Sequence, residues 1–362
     1  LYYAQLPVKI LRSAFIPLLA VALALLAGAA LIALSGASPV DAYLALLEGS
    51  FLGTEKVPWT EALGRTLEKA TPLVMGGLAV AFAFKAGLFN IGGQGQLIIG
   101  ALVAGAVGYG FQGLPWIIHM PLALLAGSIA GGLWGTIPGV LKASRGAHEV
   151  ITTIMLNFVA INLTDWFTSK VWREPGILAR TPKIEPSAEI PRWGNIPIGF
   201  FVAVAFAFLV WYLLQRTTFG FEIRTVGLNP NAAKYAGISV KRIVVLTMTI
   251  SGFLAAMGGA IETLGVVGRY EPGFNAGLGF NGITVALLAR THPLAVIPAA
   301  ILIGAMEASG AIMQFKADVS PEITDIIQAL MLLFVATPIL VRWFFKDSDE
   351  NELSVGSSWG SA

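Results

Sequence analysis

Apolar runs recur along this chain near residues 14–34, 71–85, 97–111, 121–141, 150–168, 198–214, 243–267, 274–289, 293–313 and 322–342. About 20 apolar residues of helix cross a bilayer's hydrocarbon core, and no backbone N–H or C=O is tolerated unpaired there. A chain with this pattern is therefore expected to be an all-α integral membrane protein of about ten transmembrane helices. Its composition agrees: 56% of residues are hydrophobic and 12% charged, against about a quarter charged in a soluble domain. The runs 71–85 and 97–111 are short for a straight span and are joined by the glycine-rich GLFNIGGQGQ. Broken or re-entrant helix is expected there. The first run, 14–34, follows Lys9 and Arg12. It exceeds the roughly 7–15 apolar residues of a cleaved leader, so it reads as an uncleaved signal anchor.

Several chemistries are excluded by residue type. The chain has no cysteine, and its three histidines, His119, His148 and His292, are far apart in sequence, so disulfides, thiol catalysis and a histidine metal cluster are not expected. No glycine precedes a lysine, which removes the loop that cradles nucleotide phosphates. Residues 277–282, GLGFNG, match the dinucleotide-binding spacing of glycines but open a membrane helix instead of following a strand, so close helix packing is the better reading. Asn162-Leu163-Thr164 has the form of a glycosylation site but falls inside a span. No nucleophile and base pair is recognisable, so an intramembrane enzyme has no support.

One stretch, 216–242, is a polar island between two long apolar runs. Asn229 suits an N-cap, Pro230 the first helical position and Gly237 a left-handed stop, which predicts a helix of about two turns over 229–237. Such a helix is too short to span and too short to persist without a partner packed on it. Arg216, Arg224, Lys234, Lys241 and Arg242 lie in this island; the positive-inside rule places it, and both termini, in the cytoplasm. On the opposite side the long segments are 35–70 and the proline-rich 169–197, the latter readable as a solvated connector or as a surface for a soluble partner. The tail 346–362 is polar and expected to be disordered.

Phe89-Asn90-Ile91-Gly92 is echoed by Phe274-Asn275-Ala276-Gly277. Five spans separate the copies, which places them on opposite sides of the bilayer and points to two inverted-topology halves, about 1–215 and 216–345. Around these copies lie the amides Asn90, Gln94, Gln96, Asn275 and Asn281 and the rings Phe89, Phe274 and Phe280. They are candidates for lining a path for polar solutes, or for satisfying backbone freed where helices break; five amides tip the reading toward a path. Glu262 and Glu307 are the carboxylates deepest in the apolar runs and are candidates for proton coupling, or for hydrogen bonding to a neighbouring helix while protonated.

Residues 148–157 (HEVITTIMLN), 227–238 (GLNPNAAKYAGI), 279–304 (GFNGITVALLARTHPLAVIPAAILIG) and 87–96 resemble the permease subunits of binding-protein-dependent ABC importers of the ribose, branched-chain amino acid and nucleoside group, the nucleoside branch most closely. The resemblance runs from about residue 71 to 340. It implies one permease domain over 1–345, in a bacterial cytoplasmic membrane. It also implies a coupling helix carrying Asn229, Pro230, Ala232, Ala233, Lys234, Tyr235, Ala236 and Gly237. The implied partners are a second permease, a different chain, with an ATPase of two nucleotide-binding domains holding the ATP and Mg, and an external solute-binding protein. No cofactor of its own and no nucleic acid is implied. The implied cargo is a nucleoside, with a ribose-type sugar as the alternative; a proton-coupled secondary transporter using Glu262 or Glu307 is the rival outside the class.

Overall fold

A computed structural model describes residues 6–273 and 277–336. In chain order its helices are α1 (Leu6–Leu34), α2 (Pro39–Leu47), α3 (Trp59–Lys85), α4 (Gly93–Gly110), α5 (Trp116–Arg145), α6 (Glu149–Trp166), α7 (Ile198–Arg216), α8 (Thr218–Leu228), α9 (Pro230–Tyr235), α10 (Val240–Glu262), α11 (Leu278–Leu288), α12 (Val296–Ala317) and α13 (Glu322–Ala336). The described strands are β1 (Arg192–Trp193) and β2 (Ile196–Pro197), a two-residue antiparallel hairpin. Among the described residues seven helices are long and apolar enough to cross a membrane.

The chain forms two compact units. In the first, α1 packs with α2, α13 and the part of α12 from Gly310 onward, around Ile32, Ala42, Ala45, Met313 and Val319. The Tyr43 hydroxyl donates to the Leu25 carbonyl and ties α2 to α1.

The second unit, Leu47–Ser309, is built around α3 and α10. Small residues let the backbones approach. On α5, Gly127, Gly131, Gly135 and Gly139 recur every fourth residue and form one face. A Cβ on Gly131 would lie 2.1 Å from Ala256 Cβ, and one on Gly135 would lie 2.6 Å from the Met248 carbonyl, so α5 and α10 meet almost without intervening side chains. This is the small-xxx-small packing of membrane helices, where dispersion replaces a hydrophobic driving force. The opposite face of α5 exposes Ile118, Leu122, Leu125, Ile129 and Leu133, as expected of a surface turned to lipid.

Three sequence expectations change here. The run 71–85 is not a short or broken span: α3 is one helix of 27 residues. Hydropathy missed its first three turns because Glu61, Arg65, Glu68 and Lys69 dilute the average, yet Ala62, Thr66, Leu67 and Ala70 on the other face are buried. The segment 35–70 is therefore no open loop, but α2, a π turn at Glu48–Leu52 and the start of α3. Nor is the stretch 181–190 of the segment 169–197 a solvated connector. Its backbone is pinned by Thr181 N–H to the Tyr270 carbonyl (3.0 Å), Ile184 N–H to Gly268 (2.9 Å), Glu185 N–H to Gly108 (2.8 Å) and Ile190 N–H to Leu264 (2.9 Å), with Ile184, Ala188 and Ile190 buried. The tail 346–362 lies outside the described residues.

Candidate functional site: a capped short helix and a braced helix break

The polar island folds into α8 and α9, joined at Asn229. The Asn229 side chain accepts from the N–H groups of Asn231 and Ala232, both at 3.0 Å, and Pro230 follows at the first helical position. At the far end Gly237 takes φ +82°, and Ile238 N–H returns to the Ala233 carbonyl at 3.0 Å. The helix itself is Pro230–Tyr235, six residues, inside the capped stretch 229–237 over which the sequence predicts about two turns. Its faces differ sharply. Ala233 is fully buried, whereas Tyr235 is 95% exposed and Leu228 88% exposed. Asn229, Pro230, Ala232, Lys234, Ala236 and Gly237 are also exposed. Ala233 therefore anchors α9 to its own chain. A large exposed aromatic on a short, rigidly capped helix is a feature of an interface.

The second region is the break between α3 and α4. After Lys85 the chain turns at Gly87, with φ +70°, and runs without regular structure to Gly93. Asn90 is fully buried. Its side-chain N–H donates to Gln96 Oε1 and to Ser251 Oγ, both at 2.8 Å, and its carbonyl accepts from Gly92 N–H at 2.9 Å. Ser251 passes the chain of bonds to the Ala79 carbonyl at 2.7 Å. Asn157, on α6, accepts from Gly95 N–H at 2.8 Å and donates to the Ile91 carbonyl at 3.0 Å. Gln94 accepts from Gly279 N–H at 2.8 Å, reaching the first turn of α11.

These bonds decide what the amides do in this conformation. Asn90, Gln94 and Gln96 are all buried; Asn90 and Gln94 accept from the backbone N–H groups of Gly92 and Gly279 that the break and the start of α11 leave open, and Gln96 holds the Asn90 side chain in place. That is the packing alternative of the two the sequence leaves open. Phe89 packs on Phe84, ring centroids 4.9 Å apart. Phe280 is 44% exposed, and Asn281 donates to Glu307 Oε1 at 2.9 Å, joining α11 to α12. Phe274 and Asn275 lie outside the described residues. Glu262 is buried near the end of α10 that faces segment 190–199.

The structure thus brings together the two glycine and amide stretches that the sequence singles out separately, through Gln94 and Gly279. It adds Asn157 and Ser251, which sequence reasoning missed. Asn157 closes the motif HEVITTIMLN and was open to notice there, whereas Ser251 sits in an apolar run with no local signal. Among the described residues no group of histidine, aspartate and glutamate is placed to hold a metal ion.

Known proteins share this organisation in sequence. The guanosine ABC transporter permease protein NupP of Bacillus subtilis is 40% identical over 346 residues, 93% of this chain and 97% of that protein. The nucleoside ABC transporter permease protein NupB of Lactococcus lactis is 31% identical, covering 91% of this chain and 93% of that protein. The glucose ABC transporter permease protein TsgB13 of Haloferax volcanii is 34% identical, covering 89% and 86%. The family described as branched-chain amino acid transport system / permease component matches residues 62–336, which include the helix break, the capped helix α9 and all of α11 and α12. This chain, a multi-pass membrane protein, belongs to that permease family.

Proposed function

We propose that this permease carries a nucleoside inward across a bacterial cytoplasmic membrane. It does so as one of two different permease chains, coupled to an ATPase with two nucleotide-binding domains and supplied by an external solute-binding protein. The observation that carries the cargo is the end-to-end similarity to the guanosine permease of Bacillus subtilis. The one that supports coupling is α9, a capped helix with Tyr235 exposed, in a stretch of sequence that also carries Arg216, Arg224, Lys234, Lys241 and Arg242. Since the chain has no phosphate-cradling loop, ATP and its Mg belong to the partner. The basic island then faces the cytoplasm, as do both termini.

Inverted halves and about ten spans remain part of this reading. Support comes from a cross-packing. Gly259 of α10 sits against Leu97 of α4, Gly282 of α11 sits against Gly76 of α3, and α3 and α10 touch at Met75 and Gly258. Each of the two central helices thus holds the shorter helix that follows the other, the arrangement expected of halves related by an axis in the membrane plane. With 11 residues α11 is about 16 Å long, half a hydrocarbon core. In this reading the path follows Phe280 and Asn281 with Phe274 and Asn275, while Phe89, Asn90, Gln94 and Gln96 brace its wall.

The test is uptake by vesicles holding the permease pair and ATPase, supplied with binding protein. ATP-dependent guanosine uptake is expected. Uptake of ribose or glucose in preference would move the cargo to a sugar, and uptake driven by a pH gradient without ATP, abolished by Glu262→Gln or Glu307→Gln, would replace the importer with the secondary transporter.

A further inference from the structure

The turn that ends α3 touches two other elements at once. On one side is Gly227, the penultimate residue of α8, two residues before Asn229, where α8 and α9 join. A Cβ on Gly227 would lie 2.2 Å from the Lys85 carbonyl oxygen and 2.9 Å from Gly87 N, so two backbones are in direct contact there. The turn itself is stiff, because Gly87 N–H bonds the Phe84 carbonyl at 3.0 Å and Leu88 N–H bonds Ala83 at 3.1 Å. From it the chain leads straight into the braced break and α4.

On the other side, Lys85 Nζ donates to Thr291 Oγ1 at 2.9 Å. Thr291 and Arg290 have φ values of +56° and +49°, a left-handed pair of non-glycine residues at the exit of α11. Such a conformation is strained for a β-branched residue and persists only where its surroundings hold it. The hold comes from Thr291 N–H to the Ala286 carbonyl (2.8 Å), Arg290 N–H to Leu287 (2.8 Å) and the Lys85 side chain.

We propose that this junction is the joint by which movement of the docking helix reaches both interrupted membrane segments: Gly227 drives the α3–α4 turn, and Lys85 carries the motion on to Thr291 and α11. Gly227, Lys85 and Thr291 are then positioning residues for transport. Packed backbones pass displacement on because no rotamer is free to absorb it, and one hydrogen bond extends the linkage to α11. The inference rests on α9 being the docking element.

The experiment measures nucleoside uptake and binding-protein-stimulated ATP hydrolysis on the same vesicles, holding the permease pair, the ATPase and the binding protein. Lys85→Met and Thr291→Val are expected to keep at least half of the hydrolysis while uptake per ATP falls at least fivefold. Thr291→Ser, which keeps the hydroxyl, is expected to restore the ratio. Gly227→Ala, which forces the two backbones apart, is expected to lower the ratio further. Should it fail to fold, the Lys85 and Thr291 variants still decide, since they add no atom to the backbone contact. Hydrolysis and uptake falling in proportion, an unchanged ratio, or a Thr291→Ser variant as poor as Thr291→Val would overturn the joint. Crosslinking of Tyr235→Cys to the ATPase tests docking separately: a crosslink with an unchanged ratio sinks the joint alone, and its absence sinks the docking reading and the joint with it.

Discussion

Two of the polar stretches that interrupt this apolar chain have opposite fates. Residues 216–242 emerge as α8 and α9 with Tyr235 and Leu228 almost fully exposed, whereas residues 86–96 fold inward, with Asn90, Gln94 and Gln96 buried and hydrogen-bonded. The difference lies in the kind of polarity. Charged groups such as Lys234 and Arg242 are costly to bury without partners. Amides are neutral, carry both donors and acceptors, and can close the backbone groups that a helix break opens. A charged island thus marks a surface and an amide island a repaired interruption.

The strongest way to break this contrast is Asn90→Leu. It leaves Gly92 N–H and Gln96 Oε1 without their partner, at about 1–3 kcal/mol for each orphaned buried group. The expected outcome is a clear loss of thermal stability in detergent together with loss of folded protein. An unchanged melting temperature with lost uptake would return Asn90 to the lining of the path.

Asn229→Ala sharpens the other side. It removes the cap that serves the Asn231 and Ala232 amides, at about 1 kcal/mol. The effect is expected locally, as faster hydrogen exchange and protease nicking within 229–237, with global unfolding almost unmoved. If global stability falls as far as in Asn90→Leu, α9 is part of the core and the contrast is wrong.

Tyr235→Ala is expected to change stability by less than about 0.5 kcal/mol, the usual range for a surface position, while co-purification of the ATPase weakens. Full retention of the ATPase would leave the exposed ring without a role in docking.

The smallest effect concerns His292, at the end of the α11 exit loop. Partial burial, and then the charge of Lys85, hold its pKa below the ordinary 6.5. A group depressed in the folded state contributes stability that is fully present above its unfolded pKa and is lost as pH falls through the folded value. Stability is therefore expected to decline as pH drops below about 6.5, and His292→Gln should flatten that part of the pH profile. An unaltered profile in the variant would assign the decline to other groups.

Much of α9 was legible because it is local chemistry. An Asn cap, a Pro at the first position and a Gly stop act within a few residues, so sequence order alone predicts α9. Its orientation was not legible, because the burial of Ala233 and exposure of Tyr235 depend on what α9 rests against. At the break, the glycines and amides announced an interruption, but their partners were out of view: Gln94 meets Gly279 across 185 positions and Asn90 meets Ser251 across 161. Counting amides favoured an open lining because a count carries no information about how many backbone groups need them.

What the sequence determined by itself is what depends on composition and short-range spacing: a membrane bundle, from the apolar runs; the capped short helix α9, from its terminal residues; and the family resemblance, from its motifs. What only the tertiary structure decided is which polar groups face each other. The start of α3 is helix despite its charges, because one face of it is buried. The stretch 181–190 is held down, because its backbone finds partners at Gly108 and at 264–270. Gly131 and Gly227 matter for the backbones they let approach. Hydrophobicity and capping are properties of a residue and its near neighbours, whereas hydrogen-bond satisfaction and close packing belong to pairs that only the fold brings together.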